Sequence, residues 1–517
     1  MTVSAIFAIS AVLGFVREAV LAAFFGVSAQ YDALLVALII PMFFLNMLGE
    51  ASMGAAVVPV FISFVAPQDS REQRRIVGSA FLLLSLVLSS ITAIGIVFAP
   101  QLAHLFAPGF SGSQLALTAG LMRIMLPTVL ILGLANFVTG LLHSLKKFGI
   151  AASTGVVFNL ALVLVTIPLA HKLGIVAPAI GVLAGATLQL AIMLPSLVKE
   201  KLFPAIGTSF RDPALARMWG LFWPILGGAL VVTALQTIDK VVASYLPAGS
   251  LSALSFASKI AGGPPRIFAM SLSVVLFPTL VKKVADKAKG RGDLVVGGVA
   301  MAAFLTLPWS GIFIALRVPV TAVLLQRGAF DASATAVVAV PLAIYCLGEF
   351  ASGISTMVNN AFYSHHDSKT PTFIYITANV IRVGVILALV RALGYLAIAA
   401  AHAVIMNTEV LVLLLVLRRR HMPDLNLSNL WIRLAKIVAA SAVAGVVGAI
   451  AYPLLAAALP RTFPGAATAL LLSFVPSLVA YYLAAMAIRC EEVVLVNHRV
   501  GAMMRRFQRP PRAPMAD

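Results

Sequence analysis

Charged side chains and cysteines are scarce in this 517-residue chain. Charged residues make up 11% of it, acidic residues number only 18, and the two cysteines are Cys346 and Cys490. So few cysteines exclude a Cys-based metal site or a disulfide framework. The sequence also contains no P-loop, no nucleophile elbow and no HExxH motif. We therefore predict that the chain is not an enzyme and uses no metal or cofactor.

Long polar stretches are absent as well. Hydrophobic residues make up 61% of the chain, the mean hydropathy is +1.03, and only short loops separate the apolar segments. Because a helix needs about 20 apolar residues to cross a bilayer, we predict an all-α polytopic membrane protein with about fourteen transmembrane helices. The first lacks the cleavage site of a signal peptide, so we expect it to be retained. The predicted ranges are 3–25, 31–64, 77–107, 114–143, 151–170, 175–198, 218–246, 250–281, 294–320, 333–363, 371–390, 393–417, 437–458 and 464–488.

The basic residues are distributed unevenly along the chain, which has a formal net charge of +19. If the N-terminus is cytoplasmic, the loops on that side and the C-terminal tail hold 26 Lys and Arg residues. The opposite loops hold only Lys172, Arg327, Arg391 and Arg461. This bias follows the positive-inside rule and predicts that both termini are cytoplasmic. We expect the surplus to contact anionic membrane lipids rather than nucleic acid.

Two halves of the chain share a weak repeat. Glu18 is followed by a short turn and a segment that ends near Pro59, and Asp239 by a similar turn and a segment that ends near Pro278. The two offsets are 221 and 219 residues, a layout that predicts two six-helix lobes related as parallel repeats. The predicted parts are an N-terminal lobe at 1–200, a C-terminal lobe at 201–420, an added helix pair at 421–490 and a basic cytoplasmic tail at 491–517.

Glycine and proline interrupt the second predicted helix of each lobe. The first interruption is Gly49-Glu50-Ala51 with Gly54, and the other is Gly262-Gly263-Pro264-Pro265. Such breaks free backbone groups that lipid cannot satisfy, so they are tolerated beside a cavity or neighbouring protein. A packing kink would explain either one alone, but their matching positions favour a hinge or a cavity lining.

Seven Lys or Arg residues lie inside the predicted membrane helices, where each costs roughly 2.5–3.5 kcal/mol. Arg17 stands out because Glu18 follows it and Asp32 begins the next helix. Charges near the starts of these helices predict a polar cavity and an anionic passenger. The seven cations are Arg17, Arg123, Lys240, Lys259, Arg266, Arg317 and Arg382.

Short motifs over essentially the whole chain resemble those of the MurJ/MviN family. Each motif is modest alone, but their order and spacing are specific together. They are Ser10-Ala-Val-Leu-Gly-Phe-Val-Arg17-Glu18, Phe25-Gly26, Asp32-Ala33, Pro41, Gly49-Glu50-Ala51, Val58-Pro59-Val60, Ala107-Pro108-Gly109-Phe110, Leu325-Gln326-Arg327-Gly328-Ala329-Phe330, Phe362-Tyr363-Ser364 and Asp367-Ser368-Lys369-Thr370-Pro371.

This resemblance implies a flippase of the multidrug/oligosaccharidyl-lipid/polysaccharide exporter superfamily. Family members carry undecaprenyl-pyrophosphate-linked glycans, of which lipid II for peptidoglycan is the best known, across the bacterial inner membrane. They work by alternating access between two lobes, and their last two helices form a groove for the lipid tail. Cell-envelope synthesis enzymes are candidate partners.

The resemblance carries over only part of the family's cationic site. Arg17 fits the second of two arginines in the first helix, and Asp32 fits the acidic residue that begins the second. The other first-helix arginine falls on Ala11, a second-helix lysine on Ile39, and an arginine pair on Leu45-Asn46. These departures indicate a divergent member.

The eighth helix departs from the family as well. The family arginine becomes Lys259, the aspartate before it becomes Ser258, and a nearby glutamate becomes Gly262. Arg266 lies about two turns further along and is a candidate substitute cation. In the predicted substrate site, Arg17, Lys259 and Arg266 attract the pyrophosphate, while Asp32 and Glu50 orient those cations.

Structural explanations compete with several of these roles. Arg17 could clamp Asp32 or Glu50, and its neighbour Glu18 points about 100° away on the helix and need not pair with it. Arginine nevertheless offers phosphate a planar fork of donors. Lys259 has no acidic partner within its own turn, which favours a functional role.

The remaining charges have simpler explanations. Asp239 and Lys240 can neutralise each other, and Arg123, Arg317 and Arg382 can extend to nearby helix ends.

Glu349 and Glu409 are candidate proton or cation sites, although each is isolated in the sequence. The run His365-His366-Asp367 fits a cytoplasmic turn better than a metal site.

The sequence therefore favours a flippase that moves an undecaprenyl-pyrophosphate-linked glycan, with lipid II as the first candidate, from the cytoplasmic to the outer leaflet. An exopolysaccharide unit or another lipid-linked oligosaccharide is the alternative cargo, because family cations are missing. A cation-coupled drug antiporter would require acidic rather than basic cavity residues. A scaffold without transport would have no use for charges that are costly inside a bilayer.

Overall fold

A computed structural model describes residues 3–47, 58, 60–65, 68–202, 213–286, 290–494 and 497. Within these residues it contains no strand, one π-helix, Phe61–Val65, and eighteen α-helices of at least eight residues. In chain order the α-helices are α1 Val3–Phe25, α2 Ala29–Ala37, α3 Ile39–Met47, α4 Ser70–Val97, α5 Ala99–Phe106, α6 Gly112–Met125, α7 Pro127–Ser144, α8 Phe148–Leu173, α9 Val176–Lys199, α10 Pro213–Ala243, α11 Ser250–Ala285, α12 Arg291–Ala315, α13 Arg317–Leu325, α14 Ala332–Ser364, α15 Lys369–Leu393, α16 Leu396–Arg420, α17 Leu427–Ala458 and α18 Phe463–Ala487.

The helices are long and apolar enough for a membrane protein. Eleven helical segments in the described part of the chain can cross a bilayer by length and composition, with α6 and α7 counted as one. Helices α2 and α3 form a further, shorter apolar segment, Ala29–Phe44. The predicted all-α polytopic fold is confirmed, whereas the count of fourteen membrane helices stays a prediction.

Four of the predicted membrane helices are divided in the structure. Helices α2 and α3 separate at Leu38, α4 and α5 at Phe98, α6 and α7 at Leu126, and α12 and α13 at Leu316. Pro100 and Pro127 lie in the first turns of α5 and α7. Because proline has no N–H, it cannot continue the hydrogen bonding of a preceding helix. Hydropathy does not reveal these divisions, since both pieces remain apolar.

The Gly-Gly-Pro-Pro run at 262–265 does not interrupt its helix as expected. Helix α11 continues through it. Pro264 and Pro265 nevertheless remove two consecutive N–H donors, so two carbonyl groups one turn earlier lack their helical partners. The run therefore weakens α11 without ending it. The matching interruption around Glu50 lies outside the described residues.

The chain forms two compact units. The first comprises Met1–Ala253 and Leu325–Ala334, and the second comprises Leu254–Leu324 and Thr335–Asp517. The first unit thus holds α1–α10, the first turn of α11 and the loop that follows α13. The division at residue 200 stays a prediction.

Glycines bring helices close together inside each unit. In the first, a Cβ on Gly155 of α8 would lie 2.6 Å from Oγ of Ser10 on α1. In the second, a Cβ on Gly311 of α12 would lie 2.4 Å from the carbonyl oxygen of Ser441 on α17. Small residues permit such close helix packing within a bilayer. Packing on α12 makes α17 an integral part of the second unit.

Two glycine loops in the first unit contact helix ends from the other half of the sequence. The Gly109 N–H donates to Oγ of Ser244 at 3.0 Å, just after α10. The Ala329 N–H donates to the carbonyl of Ala23 at 2.7 Å, near the end of α1. A Cβ on Gly109 or Gly328 would lie 2.3 Å from the facing backbone oxygen. Both loops therefore pack directly against backbone that is far away in the sequence, where a side chain would not fit.

Candidate substrate site

Arg17 lies on α1 at the centre of a polar network in the first unit, which we call the Arg17 cluster (Arg17, Glu18, Tyr31 and Asn159). One guanidinium nitrogen donates to Oδ1 of Asn159 at 2.9 Å, and another donates to Oε1 of Glu18 at 2.7 Å. The arginine side chain is 26% exposed, whereas that of Glu18 is 8% exposed. The expectation that Arg17 and Glu18 need not pair was wrong, because the long arginine side chain spans the angle between adjacent positions.

The partners of Arg17 are themselves held in place. The buried Tyr31 hydroxyl donates to the second oxygen of Glu18 at 3.2 Å. The amide nitrogen of Asn159 donates to the carbonyls of Gly155 and Ser10. These bonds orient the amide so that its oxygen faces Arg17. The cluster therefore fixes the guanidinium before any ligand binds.

The Arg17 cluster can donate hydrogen bonds without carrying net charge. A guanidinium has five N–H groups, and two of those of Arg17 go to Asn159 and Glu18. Three remain for a ligand among the contacts that the structure describes. Because Glu18 balances the arginine charge, recognition of an anion here relies on directed hydrogen bonds more than on net attraction.

Asp32 does not hydrogen-bond Arg17 and instead holds the start of α11. Its carboxylate accepts the N–H of Gly249 at 2.6 Å and that of Ser252 at 2.7 Å, as well as the Ser252 hydroxyl. Asp32 is 2% exposed. Carboxylates stabilise helix N-termini by accepting unpaired N–H groups at the positive end of the helix dipole. These partners lie about 220 residues away in the sequence, so local reasoning missed them.

Lys259 and Arg266 both lie on α11 in the second unit. They are seven residues apart, which places them near the same face of the helix. Lys259 is half-buried and Arg266 is exposed. Gly262 lies on this face as well, and a Cβ there would be 3.3 Å from Nε of Arg266. The two predicted cations therefore share one face of α11, while Glu50 lies outside the described residues.

A second polar cluster lies within the second unit, and we call it the Glu349 cluster (Glu349, Arg382, His402 and Glu409). Oε1 of Glu349 on α14 lies 3.5 Å from Nε2 of His402 on α16. Glu409 lies two turns further along α16 and is hydrogen-bonded to Ser355. It also interacts electrostatically with His402 and Arg382. The two glutamates that are isolated in the sequence therefore share one polar environment.

The three arginines predicted to extend to helix ends behave differently. Arg123 and Arg317 are exposed, in agreement with that expectation. Arg382 is only 7% exposed, so the expectation was wrong for it. A buried arginine needs compensating polar or anionic neighbours, and Glu409 lies close enough to interact electrostatically with it.

The His365-His366-Asp367 run belongs to a loop network. Asp367 accepts the Thr370 N–H at 3.0 Å and faces the ring Nε2 of His421 at 2.9 Å. Burial raises the pKa of Asp367, but these hydrogen bonds outweigh it and lower the pKa to about 2. Among the described residues no group of three or more His, Cys, Asp or Glu side chains could hold a metal ion.

Comparison with known proteins identifies related sequences. A family model described as lipid II flippase MurJ matches residues 21–463. The probable lipid II flippase MurJ of Haemophilus influenzae is 28% identical over 362 residues, which cover 66% of this chain and 71% of that protein. The corresponding protein of Bdellovibrio bacteriovorus is 26% identical over 429 residues, which cover 81% of each chain.

Solved structures share the fold. A lipid II flippase MurJ in an inward closed conformation has a TM-score of 0.77 at 22% identity, with 94% of this chain and 99% of that one covered. An inward-facing multidrug resistance MATE family transporter of the MOP superfamily has a TM-score of 0.67 at 14% identity, with 82% and 96% covered. At these identities the likeness is one of fold.

Proposed function

Because this chain belongs to the MurJ family, we propose that it flips an undecaprenyl-pyrophosphate-linked glycan, with lipid II as the first candidate cargo. The observation that carries this proposal is the match of the lipid II flippase family over residues 21–463. The direction is from the cytoplasmic to the outer leaflet of the bacterial inner membrane. The protein acts as a transporter, by alternating access, and catalyses no covalent step.

Arg17 is the proposed contact for the pyrophosphate in the first unit. Its guanidinium is held by Asn159 and Glu18 and keeps three N–H groups for a ligand. Phosphate oxygens accept such donors in pairs, which a planar guanidinium matches and an ammonium does not. Prior orientation lowers the entropic cost of binding.

Lys259 and Arg266 are the proposed cations of the second unit. Their shared face on α11 would present two positive charges to one anionic group. Lys259→Arg should be tolerated, since the family resemblance places an arginine there.

Asp32 has a revised role in this proposal. Because its carboxylate accepts three hydrogen bonds from Gly249 and Ser252, it stabilises the start of α11 in this conformation. Glu50 stays a proposed acidic partner of the cations. Both residues would then affect the conformational cycle more than the affinity for cargo.

The lipid tail is proposed to lie along α17 and α18, as the family resemblance implies. Large apolar side chains on this pair are exposed, with Leu454 at 67% and Leu471 at 66%. Such surfaces are compatible with lipid acyl or prenyl chains.

A different lipid-linked glycan is the second candidate cargo. The observation that favours it is the loss of family cations: Ile39 stands in place of a lysine and is 3% exposed, within an apolar environment. Fewer cations are compatible with a different headgroup around the same pyrophosphate.

Arg17 variants test the proposed function. In proteoliposomes that contain fluorescent lipid II, Arg17→Ala should slow flipping at least about tenfold, because two or more charge-assisted hydrogen bonds to pyrophosphate are lost. Arg17→Lys should recover only part of the rate. Arg123→Ala, which removes an exposed cation outside the cluster, is the matched control and should keep the wild-type rate.

The amount of folded protein must be measured alongside flipping. Wild-type rates in Arg17→Ala would remove Arg17 from the mechanism. If wild-type protein flips another undecaprenyl-pyrophosphate-linked oligosaccharide but not lipid II, the second candidate cargo is correct.

We further propose that both termini are cytoplasmic, on the basis of the 26-to-4 distribution of basic residues. Cys346 and Cys490 are buried and can be replaced by serine before single cysteines are introduced. A membrane-impermeant thiol reagent added outside intact cells should label Ser113→Cys and not Lys146→Cys, two exposed positions. The reverse pattern would contradict this topology.

A further inference from the structure

The Glu349 cluster contains polar atoms whose hydrogen bonds are not completed. Nε2 of His402 and Oε2 of Glu409 are buried and have no hydrogen-bond partner among the described residues. Glu349 is 6% exposed and Glu409 is 4% exposed. Unsatisfied polar atoms at such depth are costly, and in native proteins they mark functional sites or bound species.

The distance between Glu349 and His402 fits a pair that shares a proton. Their closest approach, 3.5 Å, exceeds the 2.7–3.2 Å of ordinary N–H···O hydrogen bonds. A proton added to either partner would create a donor that faces an acceptor and would shorten this contact. A carboxyl group and an imidazole can each bind a proton, so this contact can hold one proton between its two partners.

The cluster also brings two buried carboxyl groups into one polar environment. Glu349 on α14 and Glu409 on α16 both lie near His402. A proton bound within the cluster would offset part of this buried negative charge, which is unfavourable when it is uncompensated. The titratable and charged groups on the helices packed around the pair are Lys259 and Arg266 on α11, Tyr345 and Cys346 on α14, Arg382 on α15 and Glu409 on α16.

Gly262 connects this pair to a proposed substrate contact. A Cβ on Gly262 would lie 3.2 Å from Oε2 of Glu349 and 3.4 Å from a terminal nitrogen of Arg266. The carboxylate and the guanidinium therefore approach the same point on α11. Just beyond it, Pro264 and Pro265 weaken the helix. A change in the charge of Glu349 therefore acts beside a part of α11 whose backbone hydrogen bonding is already weakened.

We propose that Glu349 and His402 form a proton-binding site that controls Arg266. When the pair has lost its proton, the Glu349 carboxylate attracts Arg266 and competes with the anionic cargo. When the pair takes a proton from water, the attraction weakens and Arg266 becomes available to the pyrophosphate. Proton uptake and cargo binding thereby favour each other. The proton site itself rests only on the geometry of the cluster, whereas its effect on cargo rests on the function proposed above.

The test measures binding of undecaprenyl pyrophosphate to the purified full-length chain in nanodiscs between pH 5.5 and 8. The affinity of the wild-type protein should rise as the pH falls, by at most about tenfold per pH unit for one linked proton. Glu349→Gln should bind as tightly at pH 8 as wild type does at low pH. His402→Gln should reduce the pH dependence. Glu200→Gln, which removes a loop glutamate outside the cluster, is the matched control and should behave like wild type.

The ligand also titrates, so the comparison is between variants at each pH. Arg266→Gln should weaken binding and remove the difference between wild type and Glu349→Gln, because that difference acts through Arg266. An equal pH dependence in wild type, Glu349→Gln and His402→Gln would overturn the proton site and leave the proposed function untouched.

Infrared difference spectroscopy provides a readout that does not depend on cargo. Acidification should produce the carbonyl band of a protonated carboxylic acid if Glu349 carries the proton, or the ring bands of an imidazolium if His402 carries it. The first change should be lost in Glu349→Gln and the second in His402→Gln. If wild type shows either change but neither binds nor flips the lipid, the proton site stands and the proposed function fails. If Glu349→Gln does not fold, Gly262→Ala serves instead, since its Cβ displaces Glu349 or Arg266 without removing a titratable group. An unchanged pH dependence in that variant would overturn the coupling.

Discussion

The Arg17 cluster and the Glu349 cluster are both polar networks inside apolar units, but they differ in how completely they are bonded. In the first, hydrogen bonds engage both oxygens of Glu18 and orient the Asn159 amide towards Arg17. In the second, Nε2 of His402 and Oε2 of Glu409 have no hydrogen-bond partner in the described part of the chain. The Arg17 cluster therefore fixes the orientation of a guanidinium, whereas the Glu349 cluster has unsatisfied polar atoms that can bind a proton.

This difference suggests a division of roles. A bonded network resists changes in protonation, because each oxygen of the Glu18 carboxylate already accepts a hydrogen bond. An incompletely bonded network gains most from a proton. We therefore expect variants of the first cluster to act mainly on stability and cargo contact, and variants of the second to act mainly on pH dependence. Four experiments test this division of roles, and the one with the largest expected effect comes first.

Removal of the central carboxylate should have the largest effect. Glu18→Ala leaves Arg17 and Tyr31 without their shared acceptor, and loss of one partner from a buried ion pair costs about 3–5 kcal/mol. Because Arg17 is partly exposed, we expect a destabilisation of about 2–3 kcal/mol. Chemical unfolding in detergent would measure it. Glu18→Gln, which keeps an acceptor, should lose less, and equal losses in both variants would show that charge alone matters.

Packing beside the two clusters should respond unequally to an added methyl group. A Cβ on Gly348, next to Glu349, would lie 2.7 Å from Cα of Ala403, next to His402. Gly348→Ala should therefore separate α14 from α16, cost about 1–3 kcal/mol and shift the pH dependence of binding. Gly14→Ala is the matched variant beside the Arg17 cluster, where the added atom would lie 4.0 Å from Asn159. It should be neutral or slightly stabilising, and a similar cost at both positions would contradict the packing described here.

Loss of a single hydrogen bond in the Arg17 cluster should be a smaller effect. Tyr31→Phe removes the hydroxyl that donates to Glu18 and should cost about 1 kcal/mol. Tyr245→Phe is the matched control, because Tyr245 is 68% exposed and should tolerate the change. Thermal unfolding of both variants would compare them, and equal melting temperatures would show that the Tyr31 bond contributes nothing measurable.

The smallest effect is expected in the loop outside both clusters. The hydrogen bonds of Asp367 hold its pKa at about 2 in the folded chain, below its ordinary value near 3.9. Its contribution to stability is therefore present above about pH 4 and is lost as the pH falls towards 2. Asp367→Asn should be slightly less stable than wild type at pH 7, and the difference should disappear near pH 2. Unfolding midpoints in an acid-tolerant detergent would measure it, and a difference that grows on acidification would contradict the sign.

The class of fold and the family can both be read from the amino-acid sequence. Hydropathy adds up locally along each helix, so a run of apolar residues predicts a membrane helix whatever its neighbours are. The motifs around Arg17, Gly109 and Gly328 identified the family for a related reason, because each is a short contiguous pattern. Because hydropathy is a local average, it also missed the division of predicted helices. Pro100 and Pro127 lie where two of these helices divide, although the hydropathy remains high there.

Tertiary structure alone decided what each polar side chain does. Asp32 resembles a cation partner in the sequence, yet its acceptors are filled by Gly249 and Ser252, which no local pattern connects to it. Arg382 is buried rather than extended to a helix end, and Glu349 meets His402 on another helix. A buried charge depends on whichever group packing brings within a few ångströms. That distance is set by how helices far apart in the chain contact one another, so composition and spacing do not contain it.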